Sequence, residues 1–177
     1  TGILSSDNSL VGSHADDGVG YSVRLLNNGN YVIGSPYWDN GAVSNTGAVA
    51  FCSGTSGCQG TISAANSLMG NRENYYLSYA ELSTLENNDY LIITSYWPGS
   101  AAYGEGNVAW CDGTNGCKGS SDGYPRSVNG TISEGTNLIG HYDPVNHQVI
   151  VGRPEDNIVT ILNSSLLYSI FLPMIKR

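Results

Sequence analysis

The chain has 177 residues, a formal net charge of −8 and two lysines, Lys118 and Lys176. Counterion-driven binding to nucleic acid needs clustered cations, and attraction to anionic lipid needs the same, so neither is an expected partner. Its 23 glycines and 12 tyrosines, with Gly/Asn/Ser clusters between short Val/Ile/Tyr runs, give an all-β composition.

Residues 1–7 read as an orphan strand. Ile3-Leu4-Ser5-Ser6-Asp7-Asn8-Ser9-Leu10 aligns with Thr61-Ile62-Ser63-Ala64-Ala65-Asn66-Ser67-Leu68, the end of the following unit. Repeat 1 (8–65) predicts four strands at Tyr21–Leu26, Asn30–Ser35, Ala48–Cys52 and Gln59–Ala64, with Asn27-Asn28-Gly29 as a hairpin turn. Repeat 2 (66–135) predicts them again at Tyr79–Leu85, Tyr90–Ser95, Val108–Cys111 and Thr131–Glu134, after an insertion from Ser120 to Gly130. The offset is 59 residues at both cysteines, 52 to 111 and 58 to 117. Asn8-Ser9-Leu10-Val11-Gly12, Asn66-Ser67-Leu68-Met69-Gly70 and Thr136-Asn137-Leu138-Ile139-Gly140 mark the unit boundaries. Repeat 3 (136–177) is degenerate, as a capping unit is expected to be. It predicts strands at Gln148–Gly152, Ile158–Leu162 and Leu166–Leu172. The architecture expected is therefore three tandem four-stranded antiparallel units, each like a propeller blade. Three are too few for an ordinary closed propeller.

The stretches Gly18–Val23, Asn28–Pro36 and Gly47–Phe51 resemble FG-GAP-type blades of integrin-like propellers. The pattern in Asn8–Gly12, Asn28–Val32 and Ser35–Val49 is still closer to repeats of large secreted bacterial haemagglutinin-like surface proteins. That resemblance implies a secreted or surface-exposed protein of adhesion or surface architecture. The FG-GAP calcium loop does not carry over, because Leu25–Asn30 and Glu86–Asp89 lack its alternating ligand spacing.

Cys52/Cys58 and Cys111/Cys117 each flank a Gly-rich hairpin loop. Two local disulfides are the favoured reading, which places the chain in an oxidising compartment; free thiols and a shared zinc site are the alternatives. The chain starts at Thr1 without a methionine, so a processed or fragmentary product is expected, and a missing leader carries no weight. No stretch is long enough to span a bilayer as a helix, and membrane insertion is not expected.

No nucleophile elbow, phosphate loop or zinc-protease motif occurs. His141–His147 reads as a polar turn, and His14, Asp16 and Asp17 as a solvated acidic loop. No catalytic residue, metal or cofactor is expected. Tyr37-Trp38 and Tyr96-Trp97 recur at equivalent positions, where they fill a seam between units or stack on sugar rings. Asn129 and Asn163 head glycosylation sequons. Ile3 and Leu4 at one end, and Leu167, Tyr168, Ile170 and Phe171 at the other, are the candidate assembly strands. The function expected is non-enzymatic: an extracellular or cell-surface β-repeat protein that pairs head to tail with copies of itself, or with other surface proteins. A glycan-binding module using the Tyr-Trp rims is the alternative.

Overall fold

A computed structural model describes residues 3–79, 81–94, 106–122, 124–130, 138–154, 156–163 and 166–173, the last stretch by its backbone. Among these residues every regular element is a strand. The chain enters through β1 (Leu10–Val11). The first sheet takes β2 (Ser22–Leu25), β3 (Tyr31–Ser35), β4 (Ala48–Cys52) and, after the short β5 (Gly60–Thr61), β6 (Ser67–Met69). The second takes β7 (Glu81–Thr84), β8 (Tyr90–Thr94), β9 (Asn107–Cys111) and, after β10 (Gly119–Ser120), β11 (Ser127–Asn129). The third is a meander of β12 (Ile139–Asp143), β13 (Gln148–Arg153), β14 (Ile158–Asn163) and β15 (Leu166–Pro173).

The expected class and the four antiparallel strands per unit are present, but the fourth strand is not where the sequence pattern put it. In repeat 1 it is the boundary marker itself. Val49 pairs with Leu68 and Ala50 with Ser67. In repeat 2, Val108 pairs with Val128 and Ala109 with Ser127 in the same register. The residues read as an insertion thus supply β11, and the marker assigned to 136–140 belongs instead at 126–130. Predicted strand Thr131–Glu134 lies outside the described residues. Gln59–Ala64 contributes only β5, which pairs in parallel with β1 (Leu10 with Gly60, Val11 with Thr61). β6 and β10 repeat that pair one unit later (Leu68 with Gly119, Met69 with Ser120). A short parallel clasp therefore locks each unit's exit loop to the marker strand that precedes the unit.

The three sheets stack face to face, and side-chain alternation sends successive residues to opposite seams. Leu26, Val32, Val49 and Leu68 of the first sheet meet Leu82, Tyr90, Ile92, Ala109 and Cys111 of the second. Leu85, Leu91, Val108 and Trp110 leave the other face of the second sheet to meet Val149, Val151 and Leu162 of the third. Residues 59 apart thus play the same part: Val32 and Leu91, Val49 and Val108, Leu26 and Leu85. The degenerate third unit obeys the rule with a smaller residue. A Cβ on Gly140 would come 3.3 Å from Ile93 Cδ1 and Val108 Cγ1.

Candidate functional site

Three kinds of place concentrate chemistry: the hairpin loops, the acidic entry loop and the rim where edge strands meet. Each hairpin loop is closed by a disulfide, Cys52–Cys58 and Cys111–Cys117, and among the described residues no cysteine is free. Asn30 Oδ1 accepts the Gly54 N–H, and Asp89 Oδ1 accepts the Gly113 N–H, so both loops are tied to the neighbouring hairpin turn by equivalent bonds. Asn28 and Asn30 also donate to the Gly113 carbonyl, stitching the first unit's turn to the second unit's disulfide loop at 2.8 and 2.9 Å. Asp89 differs from Asn30 in carrying charge, and its Oδ2 accepts the Trp110 indole N–H at 2.7 Å. Arg126 lies 3.6 Å from the same oxygen, with its guanidinium 4.1 Å above the Trp110 ring.

The entry loop brings together His14, Asp17 and Asp39, whose ligand atoms lie within 4.8 Å of one another. Their hydrogen bonds give them other work. Buried Asp17 accepts the backbone N–H groups of Ser13 and His14 on one oxygen and that of Asp39 on the other. Asp39 accepts the Asn45 N–H. These carboxylates latch loops by standing in for missing backbone acceptors.

The His141–His147 stretch is more than a turn, since its first part forms β12. Asp143 then closes the hairpin, accepting the N–H groups of Val145 and Asn146 and the side-chain amides of Asn146 and Gln148. Those bonds, led by the Asn146 side chain, hold its carboxyl below the ordinary range. At Asp112 partial burial pushes upward, but bonds from Asn115 and Thr114 outweigh it and the net shift is also down. Folded values below the unfolded ones mean that each group stabilises the fold above the ordinary carboxylate pKa, about 4, and loses that contribution as pH falls further. Protection of the Val145 and Asn146 amides, measured against their intrinsic exchange rates, is therefore expected to fall below about pH 4, an effect that Asp143→Asn should flatten.

Of the recurring aromatics, Trp38 is buried at 4% exposure against Ala48 and Ile62, so it cannot meet a sugar. Tyr37 is half-buried and joins a four-ring cluster with Tyr21, Tyr76 and Tyr79, centroids 5.7 to 6.2 Å apart. Tyr96 and Trp97 lie outside the described residues. The cluster owes its shape to a backbone written twice. Asp16, Gly18 and Gly20 take positive φ in the first unit; Asn74, Tyr76 and Ser78 take it in the second. A side chain in that region costs about 1–2 kcal/mol, so Tyr76 (φ 51°) and Ser78 (φ 75°) are held there against strain. Beside the cluster, Tyr21–Arg24 on one side and Ser78, Tyr79, Glu81 and Leu82 on the other line a cleft of about 310 Å3 between β2 and β7. A second cleft, about 500 Å3, opens between β7 and β12, with Glu81, Glu86 and His141 around Leu91 and Ile93.

Asn129 lies in β11, where its side chain accepts from Asn107 and its carbonyl accepts from Arg153, so its amide is engaged in a seam. Asn163 ends β14 and pairs with Gln148. Ile3 and Leu4 are exposed and lie in no strand. Their loop nonetheless copies its counterpart bond for bond: Asn8 donates to the Ile3 carbonyl as Asn66 donates to that of Thr61. Leu167, Tyr168, Ile170 and Phe171 fall in β15, whose backbone pairs with β14.

No helix among the described residues is long and apolar enough to cross a membrane. The comparisons with curated proteins and with solved structures returned no match. Residues 1–21, 25–79 and 84–122 match a repeat of unknown function, DUF5650, in three segments. With the duplicated clasps, turns and disulfide loops, that match places the chain in the DUF5650 repeat family.

Proposed function

We propose that this chain is a non-enzymatic structural or adhesive module of the cell exterior, and that copies of it stack head to tail through their terminal sheets. One observation carries the reading. The face of the second sheet that Leu82, Tyr90 and Ile92 bury against the first sheet has a counterpart on the first sheet, and that counterpart is open along β2 and β3. Val23 is 49% exposed where Leu82 is 4%, and Tyr31 and Ile33 are half-buried where Tyr90 and Ile92 are fully covered. Leu25, on the same face, is 75% exposed.

The complement sits at the other end. Ile139 and Ile150 of the third sheet point away from the seam that Val149 and Val151 fill, and both are exposed. The occupant is thus a second copy, laying its β12–β13 over β2–β3 as the first sheet lies over β7–β8. Unlike faces that meet without closing propagate into a filament. Ile3 and Leu4 lie in no strand, so contact between faces is favoured over exchange of terminal strands. The two disulfides and the resemblance to secreted surface repeats support an extracellular setting.

The test is sedimentation equilibrium over a concentration series. The wild type should exceed the 18.7 kDa of one chain and keep rising without a plateau. Salt should favour association, because it screens the repulsion between copies carrying −8 each. Leu25→Glu, at an exposed position, should fold normally and stay monomeric. A wild type that remains monomeric, or a Leu25→Glu protein that polymerises equally well, sinks the proposal.

A further inference from the structure

We infer that the cleft between β2 and β7 is a carbohydrate-binding site, taking a neutral hexopyranose ring of a glycan against Tyr21 and Tyr79. This does not depend on stacking between copies, since the cleft is formed within one chain between two of its own edge strands.

The first support is what the duplication changes. In the first unit the loop entering the edge strand turns on Gly18 and Gly20; in the second the same turns carry Tyr76 and Ser78. Glycine makes these turns without strain, so the substitutions serve side chains rather than backbone. Those side chains converge. Tyr21 and Tyr79 stack with their planes 25° apart, while Tyr37 and Tyr76 meet the group edge-on. Tyr21 remains 56% exposed, leaving a flat ring for a ligand.

The second support is polar. Ser22 and Ser78 both line the cleft, and their hydroxyls are buried without a hydrogen-bond partner. Both approach Gly34: the place its Cβ would take is 2.4 Å from Ser22 Oγ and 2.8 Å from Ser78 Oγ. Buried hydroxyls normally find partners, and these two lie close together under the aromatic platform, where rotation about χ1 would turn either toward a ligand hydroxyl. Arg24 and Glu81 stand among the cleft's lining residues, offering a donor and an acceptor.

Flat apolar faces edged by hydroxyls are the chemistry of a sugar ring, and tyrosine with serine matches both features. The volume, about 310 Å3, falls at the small end of ligand sites, roughly 300–1,000 Å3. A phosphate or nucleotide would need more cation than Arg24 alone supplies.

The test is titration with cellotetraose, chitotetraose and mannotetraose, read by saturation-transfer NMR and calorimetry. At least one should bind in the range of about 1 mM or tighter, with its C–H face saturated from tyrosine. Tyr21→Ala should weaken that binding about tenfold or more. Ser78→Gly is the sharper variant: it should raise the melting temperature, because glycine accepts φ of 75° freely, and weaken binding in the same protein. A merely structural serine would move stability alone. Failure of all three sugars to bind, or unchanged affinity in both variants, overturns the inference.

Discussion

Gly47→Ala is expected to destabilise the protein by about 2–5 kcal/mol, among the largest losses available from one methyl group. Two costs add. Gly47 holds φ at 75°, where a Cβ costs about 1–2 kcal/mol. The new Cβ would also meet backbone: it would sit 2.4 Å from Leu77 N and 2.6 Å from Leu77 O. Overpacking of this kind costs about 1–3 kcal/mol, and backbone cannot rotate away as a side chain does. Leu77 is fixed from both sides, fully buried in the first seam and donating its N–H to Thr46. Gly41 is the control, with φ of 63° and nothing within 4 Å of its virtual Cβ. Urea unfolding of both alanine variants separates conformational cost from collision. Equal losses at the two positions would mean that the loops do not approach as described.

Trp110→Ala should cost about 3–5 kcal/mol, the range for truncating a buried large aromatic. Trp110 is 1% exposed, and it joins the second seam through the Tyr142 ring, 6.1 Å away. Truncation also strips Asp89 of its indole donor and Arg126 of the ring beneath it. The duplication supplies a milder comparison, since the first unit has Phe51 and Asn30 at these places. Trp110→Phe alone leaves Asp89 a hydrogen bond short and should cost about 1–3 kcal/mol. Adding Asp89→Asn recreates the first unit's pair. The double variant should therefore lose less than the two single losses summed, with a coupling of about 0.5–3 kcal/mol. Strict additivity would contradict the coupling drawn here between indole and carboxylate.

Much of this was legible because duplication makes the sequence comment on itself. The equivalence of Tyr31 with Tyr90 and of Ile33 with Ile92 follows from the offset, and both pairs hold the same register against Cys52/Cys111 and Ala50/Ala109. The first hairpin turn read correctly because Gly29 can take positive φ, and Asn88 takes the same region one unit later. The fourth strands did not read correctly. Ser67–Met69 and Ser127–Asn129 are three residues each, too short for alternation to show, and are fixed by pairing with β4 and β9. β12 was hidden because His141 and Asp143 look like turn residues, while pairing with β13 decides the matter. Trp38 was ambiguous because recurrence cannot tell a packed aromatic from a binding one. The tyrosine cleft did leave a signal, the replacement of Gly18 and Gly20 by Tyr76 and Ser78, though its meaning depends on φ values that the sequence does not display.

Electron microscopy of concentrated protein at moderate salt tests the stacking of terminal sheets most directly. Three sheets per copy at about 10 Å each predict unbranched filaments with an axial repeat near 30 Å per copy, lost in Leu25→Glu. Filaments that persist unchanged in that variant, or a field of single particles at every concentration, would contradict the account.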